Sequence, residues 1–260
     1  MQITWYGTAS LIIQDGDNKI LFDPFFTITD EREYYRKRYK PLFQKCNAIV
    51  ITHGHFDHIR DVPEIVSGIE IPIYCTKTPL KVLTKKGVPK ERITCIAPGD
   101  TFSIGDIEIT AFKGSHAAFG LPLILSTITK KRFWKMLPLA AQIGASSIMV
   151  EREAKEILVF QVSCKGKTIL ILGSLGIYPN EKYPQNIDML VLPYQGRSDL
   201  LDYSIKLIDM IKPRIILLDH FNDYCPPISS EVDYSELVKW AEDNKQFSLI
   251  APKREEEFSL

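Results

Sequence analysis

Apolar residues recur along this chain in short runs that alternate with polar ones and are broken by Gly, Asp, Asn and Pro. A period of two marks β-strands with one face turned to a core. Ile3–Tyr6, Leu11–Gln14 and Lys19–Phe22 read as three opening strands, the last two joined by a turn at Asp15-Gly16-Asp17-Asn18. Asp30 to Gln44, charged and rich in aromatics, reads as a helix or a flap. Ala48–Ile51 is a fully apolar strand with a helix after it. Ile71–Cys75 is a further strand, a helix runs through Leu80–Lys86, and strands follow near Ile93, near Phe102 and at Ile107–Phe112. The alternation returns with a hairpin of Ile157–Ser163 and Thr168–Leu172, turning at Lys165-Gly166-Lys167. Met189–Leu192, Ile215–Leu218 and Ser248–Ile250 read as strands, while Leu200–Ile211 and Ser235–Asn244 carry helical apolar spacing. Strand-rich halves, each ending in strand–helix units, predict two sheets packed face to face with helices outside. No composition break interrupts residues 1–260, so a single domain is expected.

Composition narrows the function classes. Apolar residues make up 45% of the 260 and charged residues 25%, enough for a full core. Lys plus Arg equals Asp plus Glu, 32 each, so the chain lacks the broad positive field of a nucleic-acid binder. No charged region precedes an apolar one at the N-terminus, so no secretory signal is read. Phe133 to Val150 is interrupted by Lys135, Pro138, Gln142 and Gly144, too broken for a membrane span. The five cysteines (Cys46, Cys75, Cys95, Cys164 and Cys225) are scattered without CxxC spacing. They predict mostly buried, reduced thiols in a cytoplasmic protein.

The chemistry concentrates in His53-Gly54-His55-Phe56-Asp57-His58, directly after an apolar strand. A loop at a strand's carboxyl end can turn several side chains toward one point, whereas a strand would send neighbours to opposite faces. Three imidazoles and a carboxylate there suit zinc, with manganese or iron as alternatives. The two remaining histidines, His116 and His220, each sit just past a predicted strand, where ligands converge in α/β folds. The five histidines and Asp57 thus predict one metal centre.

Through Thr52-His-x-His-x-Asp-His58 the sequence resembles the metallo-β-lactamase fold superfamily, and the resemblance runs over nearly the whole chain. Ile20-Leu-Phe-Asp23-Pro24 is similar to that family's early strand ending in a supporting aspartate. Ile169 to Ser174, Asp188 to Pro193 and Lys212 to His220 are similar to its later strands. The opening Ile3 to Ser10 is closest to the branch containing L-ascorbate-6-phosphate lactonase. The resemblance implies an α/β fold, a four-layer αββα sandwich with metals in a groove between the sheet edges. It implies that His53, His55 and His116 hold one metal and that Asp57, His58 and His220 hold a second. Two departures stand out. Ser174 occupies the place where many members have a bridging aspartate, which leaves one or two Zn2+ ions per chain as the expectation. Thr8 replaces a histidine common in the lactonase branch.

These residues lead to a metal-dependent hydrolase. Metal coordination lowers the pKa of water from about 15.7 to near 7, so a hydroxide would attack a small-molecule lactone, ester or phosphoester. Asp57 would bind the second metal and orient the nucleophile, making it the catalytic carboxylate. Asp23 would accept the outer N–H of a ligand imidazole. Tyr194, Gln195 and Arg197 would bind substrate or a developing oxyanion, and Lys113 and Ser115, flanking His116, carry the same expectation. Residues 117–147 would form a lid, a dimer contact in a homo-oligomer, or an extra packed helix. The contrasting reading is a non-catalytic metal-binding or ligand-binding protein of the same fold, kept open by Ser174.

Overall fold

Alternate side chains of the strands face two different cores, and that division sets the layers. The computed structural model describes residues 1–116, 156–224, 226 and 229–260. Strands β1 (Gln2–Gly7), β2 (Ser10–Asp15), β3 (Asn18–Phe22), β4 (Ala48–Val50), β5 (Ile73–Cys75) and β6 (Ile93–Cys95) follow in order. With β14 (Glu257–Ser259) they form a seven-stranded sheet ordered β14-β1-β2-β3-β4-β5-β6. The second sheet holds β7 (Thr101–Ile104), β8 (Ile107–Lys113), β9 (Leu158–Cys164), β10 (Lys167–Leu172), β11 (Met189–Pro193), β12 (Ile215–Asp219) and β13 (Ser248–Ile250). Its order is β13-β12-β11-β10-β9-β8-β7, also seven strands.

Each sheet is antiparallel on one side and parallel on the other. Pairs β1·β2 and β2·β3 are antiparallel, and β3·β4, β4·β5 and β5·β6 are parallel. In the second sheet β7·β8, β8·β9 and β9·β10 are antiparallel, and β10·β11, β11·β12 and β12·β13 are parallel. Leu11, Ile13, Ile20 and Phe22 of the first sheet meet Ile109, Phe160, Ile171 and Val191 of the second in a central apolar layer. The intervening residues face outward. Leu21, Ile49 and Ile51 pack with Tyr39, Phe43, Ile59, Val62 and Leu83 beneath α1 (Arg32–Phe43), α2 (Phe56–Ile59), α3 (Val62–Ile65) and α4 (Lys77–Lys85). Leu170, Leu190, Ile216 and Leu218 pack with Leu207, Ile208, Ile211 and Leu237 beneath α5 (Leu200–Ile211) and α6 (Ser235–Asp243). The expected four-layer sandwich of helices, two sheets and helices follows from this alternation.

Several expectations are refined. The stretch left open as helix or flap is helix α1, and the helix expected after β4 is two short ones, α2 and α3. Strand β14 has no apolar signal of its own, since Glu256 and Glu257 are charged. It forms because Ile3 pairs with Phe258 at the sheet edge. Cys46, Cys75 and Cys164 are buried and Cys95 is exposed, whereas Cys225 and the lid expectation at residues 117–147 lie outside the described residues. Among the described residues, no helix is long and apolar enough to cross a membrane.

Candidate metal centre

The centre lies where carboxyl ends of strands from both sheets meet. Asp23 directly follows β3, His53 follows β4, and His55 starts the turn of α2, which carries Asp57 and His58. From the second sheet, His116 lies three residues past β8 and His220 directly follows β12. The two edges are joined there, because Leu158 N–H donates to Thr52 O at 3.0 Å. Gly173, at the end of β10, makes the approach possible: a Cβ on it would stand 2.4 Å from Thr52 Cβ. Ser174 follows at the same edge, buried.

The ligand atoms fall into two groups, His53, His55 and His116 in one and Asp57, His58 and His220 in the other. Within each group they lie within 4.8 Å of one another. His116 Nε2 is 3.3 Å from His55 Nδ1, and His220 Nε2 is 3.4 Å from His58 Nε2. Two nitrogens held at Zn–N distances with a tetrahedral angle between them stand roughly 3.3–3.4 Å apart. Asp57 Oδ2 is more open, 3.7 Å from His58 Nε2 and 4.0 Å from His220 Nε2. Among the described residues, His53 Nε2 is buried without a hydrogen-bond partner. A buried nitrogen left without a partner is costly unless something binds it. These atoms therefore fit a pair of metal ions, and they form both groups without Ser174.

Electrostatics supports the same reading at His53, His55 and Asp57, while His58 must give up a proton to bind an ion. Burial, with the neighbouring imidazoles, holds His53 well below the ordinary histidine range. Burial also pushes His55 down to about 3, against the attraction of Asp57. Both rings therefore keep a free lone pair at neutral pH, as ligation requires. Burial alone would raise Asp57, but His58, His55 and His220 hold it below the usual carboxylate range. Burial opposes the charge on His58, and the Asp23 and Asp57 carboxylates outweigh it, raising His58 to about 9.

A shell of hydrogen bonds orients these ligands. Asp23 Oδ1 accepts the Thr52 N–H at 2.8 Å, and Oδ2 accepts the Thr52 hydroxyl at 2.7 Å. The same Oδ2 stands 2.9 Å from His58 Nδ1. Asp23 holds this pose at φ 42°, a left-handed conformation costly for a residue with a Cβ. The Ser10 hydroxyl braces it, donating to Asp23 O at 2.7 Å and accepting Phe25 N–H at 2.7 Å. His220 also sits at positive φ, 57°, pinned by its N–H to Thr8 O at 3.0 Å. Its Nδ1 is 3.2 Å from Asp219 Oδ2, an ion-pair distance off the line of a good hydrogen bond. Burial raises the Asp219 carboxyl.

The residues expected to touch substrate have contacts of their own within the fold. Tyr194 is buried with Leu207, Ile208 and Leu237 beneath the outer helices. Burial, with Glu236 and Asp233 nearby, raises its phenol to about 12. It packs there because it continues the alternation of Leu190 and Leu192, which face the same helices. Gln195 Nε2 donates to Ser230 O, and Arg197 is occupied by both oxygens of Asp199 and by the Tyr203 ring. Lys113 Nζ stands 3.6 Å over the Tyr178 ring, and Ser115 N–H donates to Gly176 O. Sequence reasoning missed Thr52 and Ser10 as supports. Their only signal is that one directly precedes the histidine cluster and the other starts the strand antiparallel to β3.

The chain is similar in sequence and fold to known proteins. A family profile described as Beta-lactamase superfamily domain matches residues 18–128. A UPF0173 metal-dependent hydrolase of Methanocaldococcus jannaschii is 26% identical over 92% of this chain and 92% of its own length. Isothiocyanate hydrolase from Delia radicum gut bacteria superposes with a TM-score of 0.64 at 16% identity, covering 100% of this chain and 99% of that one. Zn(2+)-bound PqqB from Methylobacterium extorquens gives 0.63 at 12% identity over 100% of both chains.

Proposed function

We propose, from the membership of this chain in the metallo-β-lactamase fold superfamily, that it is a metal-dependent hydrolase of a small-molecule lactone, ester or phosphoester. The observation that carries this reading is the pair of ligand groups, each drawn to within 4.8 Å across two sheets. His53, His55 and His116 would hold one ion, and Asp57, His58 and His220 the other. An all-imidazole-and-carboxylate donor set suits zinc, with manganese or iron the competing ions. When bound, such ions lower the pKa of water to near 7 and polarise a substrate carbonyl or phosphoryl oxygen.

The chain's own residues supply the order. Asp23 keeps the His58 ring turned so that Nε2 faces the ion. Asp57 brings a negative charge within 3.7 Å of His58 Nε2 and 4.0 Å of His220 Nε2, which would offset the charge of a cation. Zero net charge and the absence of a basic excess favour a small substrate over a nucleic acid.

The test is elemental analysis of purified protein followed by a panel of lactones, carboxylic esters and phosphoesters. About two ions per chain with turnover of one class supports the hydrolase. Bound metal with no turnover across the panel favours a non-catalytic binding protein, the reading that the neutral Ser174 hydroxyl at the bridging position supports.

A further inference from the structure

The hydroxyl of Thr52 touches three groups at once. It is 2.7 Å from Asp23 Oδ2, 3.0 Å from His53 Nδ1 and 3.3 Å from His58 Nδ1. A hydroxyl has one proton, and a carboxylate can only accept, so that proton lies on the Asp23 side. The Thr52 lone pairs then face the two imidazole nitrogens, which must both carry N–H. His53 thus donates from Nδ1 to Thr52, while His58 donates from Nδ1 chiefly to Asp23 Oδ2 at 2.9 Å. In the neutral form of each ring the Nε2 lone pair is then left bare. Among the described residues, His53 Nε2 is buried without a hydrogen-bond partner.

We infer that Thr52 is a positioning residue that fixes the tautomer of His53 and, through Asp23, ties one ligand of each metal position to a single carboxylate. This rests on the metal reading above. Support of this kind typically changes metal affinity by about 10–100-fold when removed. The geometry makes the effect unequal. His58 keeps its own bond to Asp23 without Thr52, whereas for His53 the Thr52 hydroxyl is the one group found against Nδ1 among the described residues. Gly173 fits this role, since its missing Cβ lets Thr52 sit against the second sheet.

The experiment compares Thr52→Val, which keeps the shape, with Thr52→Ser, which restores the hydroxyl. Zinc dissociation constants are measured by competition with a chromophoric chelator, in His220→Ala to isolate the His53 position and in His116→Ala to isolate the Asp57 position. Thr52→Val should weaken zinc at the His53 position about 10–100-fold and far less at the other, with Thr52→Ser recovering most of the loss. Equal weakening at both positions, no weakening, or no recovery with Ser overturns the assignment. Imidazole nitrogen–proton correlations by NMR on the unaltered, metal-free chain give a second readout that needs no variant to fold. His53 should carry its proton on Nδ1, and a proton on Nε2 overturns the inference. An unaltered chain that binds no zinc, manganese or iron but keeps the Nδ1–H tautomer would overturn the hydrolase reading and leave the Thr52 tautomer assignment standing.

Discussion

His58 and His220 are 162 residues apart in the chain, yet their Nε2 atoms stand 3.4 Å apart, both in the left-over space beside Asp57. Replacing His220 by Ala should therefore remove one ion and leave the other. Elemental analysis would read about one metal per chain instead of two. Loss of both ions would mean that the two groups do not bind independently.

Removing the metal should also cost stability. An ion that binds the folded chain alone adds about 4 kcal/mol at a thousandfold excess over its dissociation constant. Treatment with a chelator should lower the thermal midpoint, and added zinc should restore it. A midpoint indifferent to chelation would show that the centre holds no ion in solution.

Asp61 carries a different kind of support. It is fully buried and accepts Phe26 N–H at 2.7 Å and a bidentate contact from Arg32 at 2.6 and 3.1 Å. This holds the turn after Asp23 against α1. Arg32→Met should destabilise the fold by about 2–4 kcal/mol, since it strands a buried carboxylate. Adding Asp61→Asn should recover part of that loss in urea unfolding. Additive losses would show that the two side chains do not act as a pair.

Asp188 gives a pH dependence with a definite sign. Burial would raise its carboxyl, but Thr168 N–H, Lys167 and Arg214 outweigh it and hold it below the usual range. A group depressed on folding adds stability above its unfolded value of about 3.9, and the gain is lost as pH falls through the folded value. Unfolding in urea at pH 7 and near pH 3 should show a smaller drop for Asp188→Asn than for the unaltered chain. Equal drops would remove Asp188 from the acid response.

Short apolar runs bounded by turn residues located nearly every strand because much of both sheets is buried on both faces, and Leu200–Ile211 was legible to the residue from its 3.6 spacing. What escaped was set by partners distant in sequence. β14 exists only as the neighbour of β1. Tyr194, by contrast, keeps the phase of Leu190 and Leu192 toward the helices, a facing already written in the alternation. The histidines and Asp57 announced themselves by type and crowding. Thr52 and Ser10 did not, since a hydroxyl's role depends on which lone pair it points where, and that is fixed only once Asp23 adopts its left-handed turn.

Each ligand group draws from both sheets: His116 joins His53 and His55 across the divide, and His220 joins Asp57 and His58. Neither sheet alone can complete a coordination sphere. An ion at either position is thus a rivet through the sandwich, and gripping it and keeping the two halves in register become one mechanical event.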